Sequence, residues 1–173
     1  LDFMENYLLS LLVFIPLAAA LLLLLVPAKY HLVFKIFTLL ATLLQLGVAG
    51  WAYTMFDGQA HSTMMAESAR MVPIQLAEEL DWIQLNLGSL GQMSVDYHLG
   101  VDGLSISLLM LAAFIMTIGA LSSWSVRHNC KGYFLLYLLL STSVVGCFVA
   151  LDFFLFYLFF EFMLLPMYFL IGM

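Results

Sequence analysis

Apolar residues run along this chain in five long blocks, and most of the polar residues gather between them. The blocks predict helices over about Tyr7–Val26, Leu32–Phe56, Gly103–Ser123, Gly132–Leu151 and Phe153–Gly172. Each is about twenty residues long, the length a helix needs to cross a hydrocarbon layer of about 30 Å. Asp102 and Asp152 stand just ahead of the third and fifth blocks, where a short acidic side chain accepts from first-turn N–H groups. Pro16 lies near the centre of the first block and predicts a modest kink, and Pro27 closes that block. Thr38, Thr42 and Gln45 share one face of the second helix. Gln45 falls near mid-span, where it needs a partner; a structural hydrogen bond and a place on a water path both meet that need. Tyr133, Tyr137 and Ser141 share a face of the fourth.

Residues 57–102 break the pattern. Met71–Leu80, with Pro73 early and Glu78 and Glu79 late, reads as a short surface helix. Beyond it, Ile83, Leu85 and Leu87 alternate with Trp82, Gln84 and Asn86, and Met93, Val95, Tyr97 and Leu99 alternate with Ser94, Asp96 and His98. Period-two alternation on both sides of Gly88–Gly91 predicts a β-hairpin over 82–99 with a four-residue turn. His98 has no second His or Cys at ligand spacing and reads as a surface or packing residue. The chain thus divides into a tail at 1–6, helices 1 and 2 at 7–56, an extramembrane loop at 57–102, and helices 3 to 5 at 103–173.

Composition agrees with a polytopic membrane protein: 65% of residues are hydrophobic and 9% charged, against about a quarter charged in soluble domains. The first block lacks a basic leader and is too long for a cleaved signal. The net charge of −6 is unevenly spread. Lys29, Lys35, Arg127 and Lys131 sit in or beside the two short connections, whereas most acids lie in the long loop. The positive-inside rule puts turns 27–31 and 122–131 in the cytoplasm, with the N-terminus, the loop and Asp152 outside. No basic cluster suits nucleic acid. Cys130 and Cys147 lie about 25 Å apart along one helix and cannot pair. No nucleotide fingerprint, nucleophile elbow or metal cluster appears.

The chemistry concentrates on Glu161. It falls nine residues after Asp152, about 13 Å along the axis and near the middle of the fifth helix. A carboxylate at that depth is expensive and by default marks a functional site. Pro166 cannot donate to the carbonyl of Phe162 and so loosens the backbone beside Glu161. Tyr157, Glu161, Leu164 and Tyr168 form a stripe at helical spacing. Helices 4 and 5 are joined by almost no linker and should be antiparallel neighbours, bringing Ser141 to a similar depth. Glu161 is therefore the candidate proton-relay group, supported by Pro166, Tyr157 and Ser141. The plainer reading is a neutral glutamic acid making one interhelical hydrogen bond. A relay also needs a second titrating group, and none lies in the membrane core of these residues.

Two stretches carry a family resemblance: YHLGVDGLSISLLML from Tyr97 and FFLFYLFFEFMLLPMYFLIG from Phe153. Together with the basic turns and the hairpin, they resemble the antiporter-like subunit M (ND4) family of NADH-quinone oxidoreductase, respiratory complex I. The resemblance covers essentially the whole chain. It implies an all-α membrane fold of about fourteen spans, of which this is the N-terminal third, so partner spans follow Met173. The family's chains begin with methionine, so either Met4 is the start or Leu1–Phe3 is a genuine extension. The resemblance also implies that Glu161 pairs with a lysine on a broken helix two spans later and modulates its proton affinity. Flavin, iron–sulfur clusters, NADH and quinone would belong to partner subunits, with no cofactor here and no redox chemistry in this chain. Other membrane-arm subunits, including neighbouring antiporter-like ones, and the bilayer would surround it, in a bacterial inner membrane. The runner-up is a subunit of a multi-subunit cation/proton antiporter or membrane-bound hydrogenase, and the third reading is a passive scaffold.

Overall fold

A computed structural model describes residues 7–56, 74–86, 92–127 and 129–173. The described chain holds helices α1 (Leu8–Leu24), α2 (His31–Met55), α3 (Gly103–Ser122), α4 (Cys130–Val149) and α5 (Phe153–Gly172). Strands β1 (Gln75–Asn86) and β2 (Gln92–Val101) pair antiparallel between α2 and α3. Helices α2 to α5 are long and apolar enough to cross a membrane. At 17 residues α1 is shorter, at the lower end of the spanning range.

Helix α4 is the centre of the bundle, packed against α1, α2, α3 and α5. Half of its apolar stretch is buried, against 17% for α5, whose main helical neighbour is α4 alone. One core cluster joins Leu9, Leu12 and Val13 of α1 to Leu109 and Ala113 of α3 and to Val145 and Val149 of α4, with Leu99 and Val101 of β2 closing it at the hairpin end. A second lies at the opposite, basic end around Leu23, Phe34, Phe134 and Leu138. Gly146 lets α5 approach α4: a Cβ there would stand 2.4 Å from the Phe159 ring. Gly119 does the same for Tyr137, whose hydroxyl donates to the Met116 carbonyl at 2.6 Å.

The basic residues close helix ends. Lys131 donates to the carbonyls of Leu24 and Val26 at 2.9 and 3.0 Å, where α1 ends. Lys35 donates to the Trp124 carbonyl at 2.6 Å, in the 3-10 turn that follows α3. Cations suit the carbonyl-rich C-terminal ends of helices.

The predicted helices stand with small shifts of their ends. Helix α4 starts two residues early, at Cys130, and stops two early because Ala150 and Leu151 are drawn into pairing with β2: Leu99 bridges Ala150, and the Leu151 N–H donates to the His98 carbonyl at 2.9 Å. The short surface helix over Met71–Leu80 is corrected: Gln75–Leu80 is strand, and β1 begins seven residues before the expected 82. Its backbone groups pair with β2 from Val101 to Tyr97. An irregularity between Gln75 and Glu78 hides the alternation there, and Leu76 takes φ 55°, rare for a side-chain-bearing residue. The expected turn at Gly88–Gly91 lies outside the described residues.

Candidate functional site

The fifth helix starts as its sequence requires. The Asp152 carboxylate accepts from the N–H groups of Phe154 and Leu155 at 2.8 and 3.0 Å. Nine residues on, Glu161 lies near the middle of α5, on the flank turned away from the bundle. Tyr157, Leu164 and Tyr168 are exposed on that flank with it. The Tyr157 hydroxyl and the Glu161 carboxylate interact across one helical turn. Glu161, Phe162, Leu164, Leu165 and Tyr168 line an open depression of about 470 Å³. Pro166 is buried on another side of the helix.

Ser141 is not brought to Glu161. It is fully buried, and its hydroxyl donates to Gln45 Oε1 at 2.7 Å. Gln45 Nε2 in turn donates to the Leu12 carbonyl at 3.3 Å. Leu12 stands four residues before Pro16, which has no N–H to offer it. The carbonyl orphaned by the proline of α1 is thus filled by an amide of α2, itself held by a hydroxyl of α4. The structural hydrogen bond is the role these contacts give Gln45. The signal was in the sequence as the spacing of Leu12 and Pro16. Nearby, Thr117 donates to the carbonyls of Ala113 and Thr42, tying α3 to α2. The buried Thr38 hydroxyl has no hydrogen-bond partner among the described residues.

A second carboxylate, read in sequence only as part of a surface helix, has a structural role that nothing near it in the chain signals. Glu78 of β1 is buried, and its side chain reaches the N-terminus of α1. Its Oε1 accepts from the Leu9 N–H at 2.6 Å and the Ser10 N–H at 3.2 Å, and its Oε2 accepts from the Ser10 N–H at 3.1 Å and from the Ser10 hydroxyl. Ser10 Oγ also lies 3.0 Å from the Tyr97 hydroxyl. Tyr7, the residue before α1, shows no side-chain cap, so an acid 68 residues away does that work. Burial pushes the Tyr97 phenol above its ordinary 10.0; the Ser10 hydrogen bond opposes this and the Glu78 charge adds to it. On the other side of the ribbon, His98 faces Glu79 at 3.1 Å as a surface cross-strand pair. Beside this cluster, Tyr7, Ser10, Phe14, Leu155, Phe159 and Phe162 line part of a mainly apolar groove of about 750 Å³ between α1 and α5. Among the described residues no three His, Cys, Asp or Glu side chains gather as a metal site would need.

Four helices long and apolar enough to cross a membrane, packed around α4, define a multi-pass membrane protein. No protein-family profile matches the chain, but individual proteins do. It is 42% identical over 99 residues to NADH-quinone oxidoreductase subunit M of Rhodobacter capsulatus, covering 57% of this chain and 18% of that protein. It is 31% identical over 170 residues to the chloroplastic NAD(P)H-quinone oxidoreductase chain 4 of Anthoceros angustus, covering 95% of this chain and 30% of that one. The chain 4 of Zygnema circumcarinatum is 32% identical over 166 residues, with 92% and 28% covered. The chain belongs to the ND4, antiporter-like subunit family of the NADH-quinone oxidoreductases, respiratory complex I. It spans less than a third of the length of these relatives.

Proposed function

We propose that this chain is part of a proton-translocating membrane subunit of an NADH:quinone oxidoreductase. The NADH oxidation and quinone reduction that drive it take place in partner subunits carrying flavin and iron–sulfur clusters. Glu161 is the proton-exchanging group. The observation that carries this reading is a carboxylate halfway along an apolar helix, on a flank that the described helices leave uncovered. Left against lipid, such a group is costly and idle. Facing another span of a longer protein, it can meet a cation or a water chain. The family resemblance supplies that partner as a lysine of a later span. A cation on that span would pair with the Glu161 carboxylate, and making and breaking that pair would couple the two groups. Tyr157 holds the carboxylate toward that flank, and Ser141 contributes through the packing of α4 rather than by contact.

In the proposed orientation the basic turns 27–31 and 122–131 are cytoplasmic, and the hairpin lies on the side to which protons are delivered. In the full-length subunit within its complex, Glu161→Gln keeps the shape and removes the titrating group. It is expected to leave NADH oxidation by the peripheral arm intact and to lower proton transport and coupled turnover by about tenfold or more. Vesicle acidification measured beside NADH oxidation checks this. Undiminished pumping in the glutamine variant overturns the reading. Copurification of flavin and iron–sulfur subunits separates it from a cation/proton antiporter without redox partners.

A further inference from the structure

The base of the hairpin is fastened at two places that the helices themselves hardly connect. At one, Glu78 is bound into the first turn of α1 through Leu9 and Ser10, with Tyr97 of the paired strand on the same serine. At the other, β2 is sewn to the residues just before α5: Leu99 bridges Ala150, and Leu151 donates to the His98 carbonyl. Asp152, the next residue, caps α5. Gly100 permits this second attachment, since a Cβ there would stand 2.6 Å from Leu151 and from Ile74. Between the two attachments α1 and α5 stand apart, separated by the apolar groove of about 750 Å³. The ribbon is therefore a strap across the mouth of a groove, tied to the first turn of one helix and the start of another.

A second, independent feature points to a strap under load. Leu76 holds φ 55° at the irregularity just before Glu78. A leucine in that conformation persists only where its surroundings over-determine it. The irregularity ends at Glu78, where regular pairing resumes and ordinary strand alternation sends Glu78 toward α1 and its neighbour Glu79 outward to His98.

We propose that Glu78 is a positioning residue. By pinning the hairpin to α1, it fixes the start of α5 and hence the placement of Glu161 on its flank. The carboxylate is suited to this because its two oxygens accept all the first-turn donors it meets and its charge favours the N-terminal end of a helix. The consequence for transport rests on the proton-exchange reading of Glu161; the mechanical link does not.

The test uses the full-length subunit in its assembled complex, with Glu78→Ala and Glu78→Gln. The glutamine keeps one acceptor oxygen and the side chain's shape, and serves where the alanine fails to assemble. Amide hydrogen exchange is followed at residues 150–156, with α2 as the reference, beside proton transport. Glu78→Ala is expected to speed exchange at 150–156 by about tenfold, leave α2 unchanged and lower transport, with Glu78→Gln intermediate in both. Faster exchange confined to the hairpin and the first turn of α1, with 150–156 unchanged, overturns the proposal. So does normal transport in Glu78→Ala alongside a defective Glu161→Gln. If Glu161→Gln pumps normally, the proton reading falls, and the exchange data alone decide whether the strap exists.

Discussion

Gln45 answers a defect that a proline creates on another helix. With Pro16 in place, the Leu12 carbonyl lacks its own helix's N–H, and Gln45 Nε2 supplies the missing donor while Ser141 satisfies the other end of the amide. Gln45→Leu leaves that carbonyl and the Ser141 hydroxyl without partners in a buried site. The expected loss is about 1 kcal/mol, the scale of interhelical polar contacts in membranes. In a Pro16→Ala background the helix can supply the N–H itself, so Gln45→Leu should cost measurably less. A double-mutant cycle on the unfolding of the purified protein checks this; strict additivity would show that the two residues do not speak to each other.

Among the elements, the α4–α5 pair depends most on one small residue. Gly146 stands where any Cβ meets three adjacent carbons of the Phe159 ring at 2.4–2.6 Å. An aromatic ring cannot yield by swinging a flexible end, so Gly146→Ala is expected to destabilise the pair by about 1–3 kcal/mol. Adding Phe159→Leu should recover much of that loss, measured as thermal unfolding in detergent. What the chain revealed in advance at this scale follows the range of the interactions. Asp102 and Asp152 cap helices two or three residues away, so their roles could be read from adjacent letters. Glu78 caps a helix 68 residues earlier, and nothing near it in the chain names that partner. The start of β1, Gln75–Leu80, reads as helix in sequence because the irregularity at Leu76 interrupts the period-two pattern by which a strand is recognised. Ser141 reads in sequence as polar and deep, but depth alone does not say which neighbour a hydroxyl will face; it faces Gln45 rather than Glu161.

For the molecule as a whole, charge and attachment divide the bundle into two unlike ends. Lys35 and Lys131 close helix carbonyls at one, and Glu78, Asp102 and Asp152 accept from helix N–H groups at the other. In the proposed orientation, Glu79→Cys reacts with a membrane-impermeant maleimide in intact cells, whereas Ser125→Cys reacts only after the membrane is opened. Both positions are exposed. The opposite pattern would invert the topology and place the hairpin on the proton-uptake side. Of the helices long enough to cross a membrane, α5, which bears Glu161, is the least covered by the described residues; a lone carboxylate among apolar letters is legible in sequence, whereas what it faces is not.

Helix α1 is the shortest of the five, and the groups that finish it come from residues far along the chain: Glu78 at its beginning, and Lys131 at its last carbonyls. As the polypeptide leaves the ribosome, α1 emerges ahead of both of these groups and must wait. Its far end is completed only once α4 begins to appear, 107 residues later. Until then it sits at the exit of the insertion machinery as an unfinished segment, so pausing or truncating synthesis before Lys131 should leave α1 the part of the nascent protein most easily cut by proteases.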